Sequence, residues 1–308
     1  LSVSAIYRDR QFTNIFFKIT KFISQINLKE PITMIKNNYV FKDNSTNASD
    51  NDSEETVSNE SEYINDPYPE KEIKNPTVYI YNTHQLENYN NDNLEIYGIT
   101  PNVLMASYLL KEKLNNQGIS TIVEDTNLTE FLELNNWNYA NSYRASRIFM
   151  LDKQNTYKSL KYYIDIHRDS VNKALSTVTI NNKPYARILF VVGLEHKNYQ
   201  KNLDLANQIN ELFNKHYKGL SRGVLKKEGK TVDGIYNQDI SPNVMLIELG
   251  GVDNNIEEVL NTVNAISNIL SIYIGFYHPD LSTRYGVNIV APIDYVSDGG
   301  TESGEWTY

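Results

Sequence analysis

The sequence predicts an α/β domain: three layers, αβα, around a mixed, mostly parallel central sheet. Three observations carry this expectation. Short apolar, β-branched or aromatic runs begin at Val78, lead up to His167 and cover Val244–Leu249, and each reads as a buried strand. Between them lie stretches with apolar residues at helical spacing. A polar pair, Asn181-Asn182, separates two further strand-like runs as a hairpin would, and this hairpin is expected to make the sheet mixed. Strands alternating with helices are the pattern of a sheet covered on both faces.

In chain order, residues 12–26 place Phe12, Ile15, Phe16, Ile19, Phe22, Ile23 and Ile26 on one helical face, with Lys18 and Lys21 between them. This N-terminal amphipathic segment, 1–41, is expected to pack on the domain or a partner, with a membrane-surface role as the second reading. Residues 42–75 read as a disordered acidic linker, rich in Asn, Ser, Asp and Glu and too poor in apolar side chains to offset the entropy of ordering. The α/β domain is expected over 76–277 and a loose tail over 278–308.

Within the domain, Pro101-Asn102 should open a helix whose face is Val103, Ala106, Leu110 and Leu114, and Gly118 suits its C-terminal cap. A short strand follows at Ser120–Val123, then a weakly patterned helix over Trp137–Lys158. Thr177–Ile180 and Tyr185–Val192 flank the hairpin turn. The next helix carries Leu205, Ala206, Ile209, Leu212 and Phe213 on one face. After Val244–Leu249, the last helix presents Val259, Val263, Ile266 and Leu270.

The net charge of −9 resides in one segment. Residues 43–72 hold ten Asp or Glu and one Lys, which accounts for all of it, so the remainder is neutral and offers no basic footprint for nucleic acid. The absence of cysteine removes thiolate ligands and nucleophiles. No run of 18 or more uncharged apolar residues is present to span a membrane.

Chemistry is expected where the strands end. The first run leads into His84-Gln85-Leu86-Glu87, an imidazole and a carboxylate that one turn can bring to one metal ion. The second ends at His167 and the third presents Glu248. Ligand chemistry collects at the carboxyl ends of such strands, and three ligands with a spare carboxylate are the inventory of a catalytic zinc site. Asp165, His167 and Asp169 share a face if β-periodicity holds, so either Asp can orient the ring or act as a ligand. A buried ion-pair network of Asp165, His167 and Arg168 is the alternative. Glu248, set among apolar neighbours before Gly250-Gly251, is costly to bury unless it is paired or used as a base; a salt-bridged strand cap is the plainer reading. Glu95 competes with Glu87 for the second ligand place, while His196, His216 and His278 are weaker candidates.

The ordered blocks Tyr81–Glu87, Asn138–Tyr143, Asp165–Ser170, Ser221-Arg222-Gly223, Tyr236–Asp239 and Leu246–Gly251 resemble the stage II sporulation protein P family over residues 77–272. The resemblance implies a zinc-dependent peptidoglycan hydrolase similar to the N-acetylmuramoyl-L-alanine amidases, used in septal wall remodelling during engulfment, with endopeptidase activity on cross-links credited to the family. It implies His84, Glu87 and His167 as ligands and Glu248 as catalytic carboxylate. Asp165, Arg168, Asp169 and Asn237 complete the candidate set as residues that hold the ligands or touch substrate. It also implies a lytic transglycosylase partner, stage II sporulation protein D, and a membrane-anchored complex outside the cytoplasmic membrane, in the septal or forespore intermembrane space. Asn82 departs from the pattern, standing where a histidine is expected in many relatives. A zinc endo- or carboxypeptidase of wall peptides and a non-catalytic zinc-bound scaffold are the competing readings.

Overall fold

The computed structural model of the chain describes residues 63–66, 73–91, 100–230 and 232–277. The amphipathic 12–26 stretch, most of the acidic segment, Glu95 and the tail after 277 lie outside these residues.

Among the described residues, eight strands and six α-helices follow in the order β1 (Val78–Tyr81), α1 (Val103–Asn116), β2 (Thr121–Val123), α2 (Leu128–Leu134), α3 (Ser142–Thr156), β3 (Tyr162–Asp169), α4 (Lys173–Ser176), β4 (Thr177–Ile180), β5 (Lys183–Ala186), β6 (Ile188–Gly193), α5 (Tyr199–His216), β7 (Ser221–Lys227), β8 (Val244–Gly251) and α6 (Ile256–Tyr277). Six strands form one sheet in the order β2-β1-β3-β8-β6-β7. The first four are mutually parallel; β6 runs antiparallel to β8, and β7 parallel to β6. This is the expected mixed, mostly parallel α/β arrangement.

Local chemistry explains the boundaries. Asn102 is extended, and its side chain accepts from the Met105 N–H at 3.0 Å, so α1 starts where a donor-capping residue allows. It ends at Gly118 in the left-handed region, φ 79°, while Ile119 N–H returns to the Leu114 carbonyl at 2.9 Å. One face of the sheet buries Tyr79, Tyr81, Tyr163 and Val244 against Met150 of α3. Tyr79 and Tyr81, two residues apart and therefore on the same side, stack at 5.5 Å. On the opposite face Ser107 of α1 bonds Asn82, Phe190 meets Phe213 of α5, and Tyr162 meets Tyr273 of α6. Helices thus cover both faces of the central strands.

The hairpin forms, with Asn181 and Asn182 both at positive φ, 49° and 61°. It does not make the sheet mixed. β4 and β5 form their own two-stranded sheet, and the run Tyr185–Val192 divides at Arg187, where the chain crosses into β6. The antiparallel character comes from β6 against β8. The reason is burial: β5 is largely exposed or half-buried, whereas β6 is buried along most of its length and needs cover on both sides.

Two elements escape the apolar pattern. β7 reads Ser-Arg-Gly-Val-Leu-Lys-Lys, the charged composition of an edge strand, and among the described residues has a neighbour on one side only. α2 spans seven residues and is fixed by Asn127, whose side chain accepts from the Glu130 N–H. Within the acidic segment, Tyr63 donates to the Asp125 carbonyl and Asp66 pairs with Lys111 of α1.

Candidate metal centre

The topology brings β1, β3 and β8 side by side, all ending at the same edge. Asp165 lies opposite Tyr81, and His167 lies opposite Glu248. The parallel register therefore sets the candidate base beside a candidate ligand before any side chain is considered.

After β1, Thr83 locks the turn. Its N–H and its hydroxyl both donate to Asp165, at 2.9 and 2.7 Å. The turn folds Glu87 back under His84, Nδ1 lying 3.2 Å from Oε1. The other carboxylate oxygen of Glu87 accepts from the Arg168 N–H at 2.7 Å and lies 3.7 Å from His167 Nδ1. One ligand atom from each of His84, Glu87 and His167 falls within 4.8 Å of the others, and the two imidazole centroids are 4.9 Å apart.

Asp165, fully buried, holds the far side of the His167 ring, with Oδ2 3.1 Å from Nε2. The contact is an ion pair, and Nε2 has no hydrogen-bond partner of regular geometry among the described residues. The pair anticipated from sequence is present; Arg168 does not join it and instead extends its guanidinium to the Asp169 carbonyl at 3.3 Å. A bulge between His167 and Asp169 shifts the register there. Asp169 accepts from Arg222 of β7 at 2.6 Å.

Charge inside the cluster is partitioned strongly. Burial alone would raise the Glu87 pKa, but His167 and then His84 outweigh it and hold the carboxyl well below the usual range. Burial would lower His167, yet Asp165 and Glu87 prevail and push it well above an ordinary histidine. Glu248 goes the other way. Burial, reinforced by Glu87 and Asp169, raises it to about 7, although His167 and Arg222 oppose this. Its Oε2 is buried without a partner among the described residues. Two imidazoles, one carboxylate and an unspent buried carboxylate oxygen beside them fit a divalent ion of the zinc type with an open coordination position.

An aromatic wall faces this cluster. Tyr139 stacks on His84 at 4.6 Å, and Tyr143 lies 6.2 Å from His167 and 5.4 Å from Tyr236. Asn237 sits behind this wall: at φ 56° it donates to the Tyr143 carbonyl and to Ser146 Oγ, bracing α3 against the loop before β8. Asn82 also turns away from the ligands, its amide donating to the Ile166 carbonyl and accepting from Ser107. The residue that departs from the expected histidine thus ties β1 to β3 and α1. His216 closes α5 and His196 precedes it, both outside the cluster, and Glu95 and His278 fall outside the described residues. Thr83, Ser146, Tyr139, Tyr143 and Arg222 have places around the site that strand-end reasoning did not assign, because their roles depend on cross-chain contacts.

Fold and site together define an α/β domain with a candidate three-residue metal centre at the carboxyl edge of adjacent parallel strands. A family model for Stage II sporulation protein P (SpoIIP) matches residues 6–271. The chain belongs to this family of sporulation proteins. It is 39% identical over 200 residues to "Stage II sporulation protein P" of Bacillus subtilis (strain 168), covering 63% of this chain and 50% of that protein. The chain therefore matches about half the length of this curated relative. Among solved structures it is similar to Cwp6 from Clostridium difficile, at 16% identity and a TM-score of 0.36 over 67% of this chain and 29% of that one, a likeness too slight to carry an argument. Among the described residues no helix is long and apolar enough to cross a membrane.

Proposed function

We propose that this chain is a zinc-dependent peptidoglycan hydrolase, an N-acetylmuramoyl-L-alanine amidase that cuts the amide between muramic acid and the stem peptide. The observation that carries the reading is Glu248: a carboxylate with a buried, unpartnered oxygen and a pKa of about 7, register partner of His167. A purely structural glutamate in such a setting would be paired. Family membership supports wall remodelling in sporulation as the setting.

His84, Glu87 and His167 would hold the ion, which when bound supplies Lewis acidity toward the amide carbonyl. The remaining steps belong to the chain. Glu248 accepts a proton from the attacking water and delivers it to the leaving amine nitrogen as the C–N bond breaks. A pKa near neutrality suits a group that must both take and return that proton. Asp165 fixes the His167 ring, and the Arg168 N–H fixes Glu87.

Digestion of purified peptidoglycan tests this. Release of intact stem peptides with free L-alanine amines supports the amidase; cuts confined to bonds within peptides make the enzyme a peptidase. Glu248→Gln should keep its zinc and lose about a hundredfold or more in turnover. Loss of zinc from that variant would make Glu248 a ligand, and retained turnover would remove it from the mechanism. We propose further, from the family alone, that residues 76–277 are the catalytic unit and that it acts outside the cytoplasmic membrane. A membrane-anchored complex with a lytic transglycosylase, stage II sporulation protein D, belongs to the same proposal.

A further inference from the structure

At the same edge of the sheet, two arginines have fewer partners than their chemistry asks for. Ser221 pairs with Ile188, and the next residue of β6, Leu189, pairs with Glu248, so Arg222 enters two strands away from the candidate base. Its side chain reaches back across that end of the sheet to Asp169, the last residue of β3. Only 15% of it is exposed, and 21% of the Asp169 side chain, so the pair is largely withdrawn from water and its charges are poorly screened. Arg168 approaches the same residue through its single long contact with the Asp169 carbonyl.

A guanidinium carries five N–H donors. In both arginines Nε is buried and has no partner among the described residues. Leaving a buried donor on a cation unmet is costly, and two such donors beside one aspartate are not a stable end in themselves. Arg222 meets the Asp169 carboxylate, whereas Arg168 meets the backbone carbonyl of the same residue, so the one carboxylate is paired with one of the two guanidinium groups. The acceptor that matches planar, paired N–H groups is a carboxylate. Glu248 does not fill this place, since its own Oε2 is unpartnered.

We propose that Arg222 and Arg168 form a subsite for a carboxylate of the substrate's peptide portion, with Asp169 as the positioning residue that holds both guanidinium groups. This rests on the peptidoglycan-hydrolase reading above and deepens it by naming an anionic group beside the scissile amide. It sets a specificity: substrates whose peptide carboxylate is amidated bind less well, whatever the glycan.

Calorimetry on the zinc-loaded chain tests it, with a soluble muramoyl dipeptide bearing a free terminal carboxylate and the same compound as its carboxamide. The unaltered chain should bind the carboxylate form tighter by about tenfold or more, the scale of a hydrogen bond between charged groups. Arg222→Gln and Arg168→Gln should each bring the preference down to about twofold or less at unchanged zinc content, with binding measured well below each variant's melting temperature. Arg222→Lys, which keeps the charge without the fork, should restore part of it. Equal loss of both ligands in the glutamine variants would overturn the subsite. So would a preference that persists in both, or an unaltered chain that binds neither form. A shifted pH–rate profile with the preference intact would mean that Arg222 acts through Glu248, and overturns it as well. The hydrolase reading fails separately: the carboxylate preference would then be measured while wall digests contain no cleaved amide.

Discussion

At the scale of single residues, the site is a set of groups whose protonation is fixed by neighbours, and this gives two sharp expectations. The raised Glu248 pKa means that the metal-free folded state favours the neutral acid more than the unfolded chain does. Its contribution to stability is therefore complete below the ordinary glutamate pKa and is lost as pH rises toward about 7. Glu248→Gln, always neutral, should match the metal-free wild type near the acid end. It should exceed it above neutrality by on the order of 3 kcal/mol, read from denaturation curves across pH. A gap that closes rather than opens with rising pH would contradict the burial argument. The second expectation concerns the ligands: His84→Ala, Glu87→Ala and His167→Ala should each lower zinc occupancy measured by elemental analysis. Asp165→Asn should weaken zinc by about tenfold or more, since it removes the carboxylate that holds the His167 ring. Unchanged zinc in Glu87→Ala would return the second ligand place to Glu95.

At the scale of elements, tight backbone approaches hold the sheet edge that carries the candidate metal centre. A Cβ on Gly251 would lie 2.3 Å from the Val171 carbonyl and 2.9 Å from the Ser176 Cβ, so β8 passes α4 with no room for a side chain. Gly251→Ala should cost about 1–3 kcal/mol in chemical denaturation, through overpacking that neither neighbour can relieve. The hairpin offers a milder test. Asn182 holds φ 61°, which a β-branched residue resists, so Asn182→Val should cost about 1–2 kcal/mol and leave zinc binding untouched.

At the scale of the molecule, the acidic segment touches the domain through Tyr63 and Asp66. A chain starting at residue 76 should therefore fold and take up zinc, yet melt lower than one starting at residue 60. The difference should be on the order of 1 kcal/mol, the value of a few polar contacts at a partly exposed surface. Equal melting temperatures would make those contacts energetically neutral. Zinc itself should stabilise the whole domain by mass action, by about 2.7 kcal/mol at a hundred times its Kd, and His84→Ala should abolish that increment.

What the sequence determined by itself is local. Val78–Tyr81, Val244–Leu249 and the face of α1 announce themselves because burial selects apolar residues at the period of each element. His84-x-x-Glu87, His167 and Glu248 could be singled out because an ionisable side chain closing an apolar run is expensive without a use. The tertiary structure decided what no period encodes. The register that sets His167 against Glu248 follows from which strands become neighbours. The split of Tyr185–Val192 between two sheets follows from where cover is available. The reach of Arg222 to Asp169 spans 53 residues of sequence, and the turn of Asn82 away from the ligands depends on contacts with Ile166 and Ser107. Periodicity records which side of an element is buried; only the packed chain fixes what each buried polar group meets there.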